Sequence, residues 1–164
     1  MSISRAIATV CGIGTLRPAP GTWGSLAALP VFYLIHLTGG FPLVVAATCA
    51  VFFLGWWATA EQTRGSLDHD PSEIVIDEVV GQWLALWTIS AGAWRAEVDV
   101  VQLWPGWLAG FVLFRLFDIV KPGPVGWADR RADALGVMLD DVIAGACAAL
   151  CVAAMAAMAH GVLM

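Results

Sequence analysis

Residues 18–60 read PAPGTWGSLAALPVFYLIHLTGGFPLVVAATCAVFFLGWWATA and carry no formal charge. As one helix, those 43 residues would be roughly 65 Å long, about twice the ~30 Å hydrocarbon core of a bilayer. The stretch therefore holds two membrane-length segments, and Gly39-Gly40-Phe41-Pro42 is the natural break between them. Three more uncharged runs follow: Val79–Trp94 with 16 residues, Val100–Phe114 with 15 and Val142–Met164 with 23.

The rest of the composition agrees. Of 164 residues 60% are apolar and only 13% charged, with a mean hydropathy of +0.80. That leaves too little polar surface for a soluble globule, and it excludes a disordered chain, a nucleic-acid-binding module and a small disulfide scaffold. Nine tryptophans suit a protein with two membrane–water interfaces. The expected fold is all-α: a single-domain (1–164), multi-pass integral membrane helical bundle with about five hydrophobic segments. These are Thr22–Leu37, Phe41–Ala60, Ile74–Trp94, Leu103–Val120 and Asp140–His160. The first is short and carries Pro30, which leaves a re-entrant or interfacial placement open beside a full crossing. Arg17-Pro18 and the interrupting glycines argue against a cleaved signal peptide, so the chain is expected to be unprocessed.

If all five segments cross, Arg5, Arg17, Arg64, Lys121, Arg130 and Arg131 fall on one side and Arg95 alone on the other. By the positive-inside bias the N-terminus is cytoplasmic and the C-terminus external. Cys11, Cys49, Cys147 and Cys151 read as small buried apolar residues, and His36, His69 and His160 lie in no recognisable catalytic or metal spacing.

The acidic residues are the chemical signal. Asp77-Glu78 and Asp140-Asp141 lie just inside the cytoplasmic ends of the third and fifth segments, and Arg115, Asp118 and Lys121 share one face near the same end of the fourth. Ionisable groups at such positions are costly and usually face a bundle interior or wet cavity. Four carboxylates at one depth repel one another without a cation, and oxygen ligands lacking Cys or His select Mg²⁺, Mn²⁺ or Ca²⁺. Asp77, Glu78, Asp140 and Asp141 are therefore the expected metal ligands. The glycine-rich stretch Gly12–Ser25 precedes a hydrophobic helix and reads either as an anion-binding loop, with Thr22 and Ser25 as donors, or as a tight turn into the membrane. Lys121, Arg115 and Arg130 are the candidate phosphate-binding cations. Asp118 is placed either as a general base or as the group that orients Lys121.

Four blocks then run in order: Gly21-Thr22-Trp23-Gly24-Ser25-Leu26 after Pro18-Ala19-Pro20; Asp70-Pro71 with Ile74–Gly81; Phe114–Pro122 with Pro124; and Gly136–Asp141 with Ala144-Gly145. Together they resemble the phosphatidylglycerophosphatase A family. The resemblance implies a Mg²⁺-dependent lipid phosphatase of the bacterial cytoplasmic (inner) membrane. Such an enzyme removes the terminal phosphate of phosphatidylglycerophosphate at the cytoplasmic face, and has no nucleic-acid partner. Ala134-Leu135 and Val120 depart from the family pattern without removing a charged residue. Two alternatives fit less well. A transporter would carry its carboxylates nearer the midplane. A CDP-alcohol phosphotransferase would need Gly after Asp118 and Asp four residues beyond Asp140, where Ile119 and Ala144 stand. Cys-x5-Arg and the histidine-based phosphatase blocks are absent, which leaves attack on phosphorus by water or by a carboxylate.

Overall fold

A computed structural model describes residues 2–66, 68 and 70–163, with side chains through residue 159. His69 lies outside the described residues, as does the side chain of His160. The described residues are helical or irregular, with no strand among them. The helices are α1 (Ile3–Ala8), α2 (Pro20–Thr63), α3 (Ile76–Ala85), α4 (Trp87–Ala96), α5 (Trp104–Val120), α6 (Pro124–Asp129) and α7 (Ala134–Leu163).

The uncharged stretch forms α2, and it breaks where the glycines stand. Gly40 has φ 61° and ψ −158°, a region open almost only to glycine, and it is the one non-helical position inside α2. Pro42 falls in the first turn of the second half, where a missing N–H costs nothing. Pro30 leaves the first half, 20–39, uninterrupted.

Side-chain contacts fix the sense of each rod. Trp83 Nε1 donates to Ala28 O at 2.9 Å, His36 Nδ1 lies 2.7 Å from Ser90 Oγ, and Trp94 packs on Gly40. The first half of α2 therefore runs parallel to α3–α4. The second half returns, with Trp87 Nε1 donating to Thr48 Oγ1 at 3.2 Å and Gly55 set against Ile76. α5 runs opposite to α3–α4, with Gly106 on Ile89 and Gly110 on Leu86. α7 runs with α3, since Gly145 meets Gly81 and Thr88 Oγ1 donates to Ala149 O at 3.1 Å.

The centre holds Phe32, Leu86, Phe114 and Met138, all fully buried. The outward faces are also apolar: Leu34, Phe53, Leu108 and Leu150 are 58–72% exposed. A bundle apolar inside and out is one solvated by lipid. Three helical stretches are long and apolar enough to cross a membrane: Pro20–Thr63, Val100–Val120 and Ala134–Ala159. The expected segment Ile74–Trp94 forms two shorter helices joined at Leu86. The cysteines are free, and Cys11 and Cys49 are exposed, not buried as expected, because each points away from the packed interior.

A Cβ at residue 40 would overlap the Trp94 ring and occupy a backbone region closed to alanine. Gly40→Ala is expected to cost about 2–4 kcal/mol, read as a lowered unfolding temperature in detergent. Gly92→Ala, whose Cβ would approach nothing closer than Leu103 Cδ1 at 3.9 Å, is expected to be neutral or mildly stabilising.

Candidate active site

The site starts from a backbone contact between α3 and α7. A Cβ at Gly145 would overlap Gly81 O and lie 3.0 Å from its carbonyl carbon, and a Cβ at Gly81 would lie 2.7 Å from Asp141 O. Glycine at both positions lets the two helices touch along their backbones. Asp77 stands one turn before Gly81, and Asp141 one turn before Gly145, so both helices deliver carboxylates at one height. Asp77, Glu78 and Asp141 each bring an oxygen within 4.8 Å of the others, and so do Asp118, Asp140 and Asp141.

The N-terminal segment holds the start of α3 in place. Val75 N donates to Ala8 O at 2.9 Å, and a Cβ at Gly24 would press on Val75 at 2.9 Å. Arg5 pairs with Glu73 at 3.1 Å, and Arg17 Nη1 donates to Ser72 Oγ at 3.2 Å. Ile13–Thr15 form a turn under this segment, and of the glycine-rich stretch only Ala19, Pro20 and Gly21 reach the pocket.

Two cations face the carboxylates. Arg115 Nη1 sits 2.9 Å from Asp118, 3.9 Å from Glu78 Oε1 and 3.4 Å from Ser25 Oγ. Lys121 ends α5 in the left-handed conformation (φ 49°, ψ 53°), and its Nζ donates to Asp129 and, at 2.8 Å, to Asp140. Burial works against the Lys121 ammonium, but the hydrogen bonds to Asp129 and Asp140 outweigh it and hold its pKa above the ordinary lysine value. It stays charged throughout the physiological range.

A pocket of about 250 Å³ results, lined by Asp70, Ser72, Asp77, Glu78, Arg115, Asp118, Lys121, Asp140 and Asp141 among others. The expected residues Asp77, Glu78, Arg115, Asp118, Lys121, Asp140 and Asp141 come together there. Three do not line it. Ser25 is buried behind Arg115 and donates to Gly21 O, Thr22 lies one residue past the lining, and Arg130 is exposed outside it. Asp118 pairs with Arg115 and not with Lys121. Sequence reasoning missed Asp129, Asp70, Ser72 and Gly21. For Gly21 the signal was its place at the mouth of a helix facing charged residues, and a Cβ there would overlap Glu78 Oε1.

The donor set fits a hard divalent cation. Two overlapping carboxylate groups share Asp141, no Cys or His intrudes among the described residues, and Glu78 Oε2 is buried without a partner.

Fold and pocket together define a helical membrane protein with a carboxylate-rich site at one end of its bundle. The sequence model of the phosphatidylglycerophosphatase A family matches residues 6–156, and the chain belongs to that family of phosphatases. It is 36% identical over 135 residues to phosphatidylglycerophosphatase A of Haemophilus influenzae, covering 81% of this chain and 76% of that protein. It is 34% identical over 138 residues to phosphatidylglycerophosphatase A of Escherichia coli, covering 82% and 72%. A Bacteroides thetaiotaomicron protein, provisionally named a phosphatidylinositol-3-phosphatase, is 35% identical over 144 residues, covering 85% and 84%. No solved structure matches the chain.

Gly145→Ala tests the α3–α7 contact. Separating the helices by even about 1 Å displaces both carboxylate pairs, and misplacement on that scale costs about 10²-fold in turnover. Phosphatase turnover of Gly145→Ala should fall by about that factor, while Gly92→Ala, whose Cβ meets nothing closer than 3.9 Å, keeps wild-type turnover.

Proposed function

We propose that the protein hydrolyses the terminal phosphate of phosphatidylglycerophosphate, giving phosphatidylglycerol and inorganic phosphate, with Mg²⁺ as cofactor. The carrying observation is the convergence of Asp77, Glu78, Asp118, Asp140 and Asp141 from three helices around Arg115 and Lys121. Asp77, Glu78, Asp118, Asp140 and Asp141 would hold Mg²⁺, which when bound supplies charge neutralisation and polarisation of a phosphoryl oxygen. Arg115 offers a planar fork to the phosphate, held in place by Asp118. Lys121 adds a fixed ammonium, anchored by Asp129 and Asp140. Both place positive charge where the phosphoryl oxygens gain negative charge. Asp118 also orients Arg115, through the oxygen that pairs with it. Ser25 braces the start of α2 behind Arg115 by donating to Gly21 O, and Arg130 contributes surface charge that attracts anionic lipid.

The chain forms one membrane-embedded domain with five crossings: the two halves of α2, then α3–α4, α5 and α7. The alternating sense of the rods and the excess of Lys and Arg at the pocket end support an N-in, C-out arrangement in the bacterial inner membrane. The pocket then faces the cytoplasm, and the diacylglycerol part of the substrate stays among the apolar outer faces.

Purified protein should release phosphate from phosphatidylglycerophosphate with Mg²⁺, and EDTA should abolish the release. Asp140→Asn and Asp141→Asn should each lower activity by 10²-fold or more and raise the Mg²⁺ concentration needed for half-activity. Lys121→Ala should abolish turnover, while Arg130→Ala mainly raises KM. Full activity with EDTA, or wild-type Mg²⁺ dependence in both Asn variants, would overturn the metal assignment. A reporter fused to the C-terminus should be active only if it functions in the periplasm; cytoplasmic activity would remove one crossing.

A further inference from the structure

We propose that the Gln82 side-chain amide hydrogen-bonds the free secondary hydroxyl of the substrate's head-group glycerol and thereby selects a glycerol phosphate headgroup. The inference rests on the substrate reading above. Gln82 is fully buried, and neither its Oε1 nor its Nε2 has a hydrogen-bond partner. Buried polar groups are nearly always partnered. An orphaned amide in an apolar bundle is costly, and methionine or leucine would fill the same space without that cost.

Its position points at the substrate. Gln82 lies four residues after Glu78 and four before Leu86, on one face of α3. Glu78 on that face meets Arg115 of α5, and Leu86 meets Gly110 of α5. Gln82 therefore stands about 6 Å, one helical turn, beneath the Glu78–Arg115 pair. Glu78 Oε2 and Arg115 Nε are also buried and unpartnered, so the unmet hydrogen-bonding demand continues from the pocket down to Gln82. The first half of α2 and α5 both pack on α3, and they meet each other further along, where the Trp107 ring packs edge-on against Phe32 and Tyr33. Above Gln82 they are bridged by the long 3.4 Å contact of Arg115 Nη1 with Ser25 Oγ.

The chemistry matches the spacing. In a glycerophosphate headgroup the hydroxyl oxygen is four bonds from phosphorus, about 4–5 Å at ordinary bond lengths. A hydrogen bond adds about 3 Å. A phosphate held at Arg115 and the carboxylates thus places the hydroxyl within reach of a group one turn deeper. An amide both donates and accepts, as a hydroxyl does, so the two groups can satisfy each other. A site built to bind a hydroxyl strongly rejects the analogue that lacks it.

The test compares full-length protein in mixed micelles on two lipids: phosphatidylglycerophosphate and the same lipid with 1,3-propanediol replacing the head-group glycerol. The wild type should show about 10²-fold lower kcat/KM on the deoxy analogue. Gln82→Met should bring the ratio near one, by losing activity on the natural lipid and not on the analogue. Equal kcat/KM for the two lipids in the wild type would overturn the proposal without recourse to any variant. An unchanged ratio in Gln82→Met would also overturn it, marking the amide as satisfied by internal water. Phosphate release from neither lipid would instead overturn the substrate reading, and the Gln82 assignment with it.

Discussion

Everything at the polar end of this bundle depends on two helices touching backbone to backbone. Gly81 and Gly145 leave no side chain between α3 and α7, and each helix carries its acidic pair three to five residues before its glycine. Within a membrane no hydrophobic force drives helices together, so close van der Waals packing has to do so. The contact works against the carboxylates it assembles, which repel at this separation in a medium poorer in water than bulk solvent. Packing along the length of α3 and α7 holds the helices against that repulsion, while Arg115 and Lys121 offset part of it locally.

The two cations are themselves positioned by unlike means. Arg115 projects from within a regular helix and is braced by Asp118 one turn on. Lys121 stands where the helix stops, and its left-handed backbone turns the chain into the short α6, which returns Asp129 to the ammonium. A lysine with positive φ is uncommon and carries some strain. Here it lets one side chain reach both α6 and α7. The opposite end of the bundle is closed by apolar packing and the Gly40 turn under Trp94, and none of the clustered carboxylates lies there.

Much of this was legible in the sequence because charge is so scarce in it. Uncharged runs marked the rods, Gly39-Gly40 marked the break in the longest, and the few acidic residues inside the segments could only be functional or paired. Depth and helical face follow from numbering alone, which is why Asp77, Glu78, Arg115, Asp118, Lys121, Asp140 and Asp141 were anticipated as one constellation. Neighbour relations do not follow from numbering. The pairing of Lys121 with Asp129 depends on a turn through Gly123, whereas Asp118 meets Arg115 at the three-residue spacing of one helical face. Thr22 and Arg130 have suitable chemistry and lie near the other residues in sequence, yet helix rotation takes Thr22 off the lining and the α6 turn leaves Arg130 in the open. Gln82 carried no signal, since a lone amide in an apolar run gains meaning only when its surroundings leave it without a partner.

The charge balance of the pocket constrains how the proposed reaction is entered. Six carboxylates line it (Asp70, Asp77, Glu78, Asp118, Asp140 and Asp141) against the cations Arg115 and Lys121, both already paired. A phosphomonoester near neutral pH brings close to two further negative charges. Such a pocket disfavours the substrate unless a divalent cation shares the site, and the cation in turn gains ligands when phosphate arrives. Binding free energies are reciprocal, so whatever factor the cation contributes to phosphate affinity, phosphate returns to the cation. On the proposed reading neither is held strongly alone, and the carboxylate excess that looks like a liability makes the assembled site depend on both.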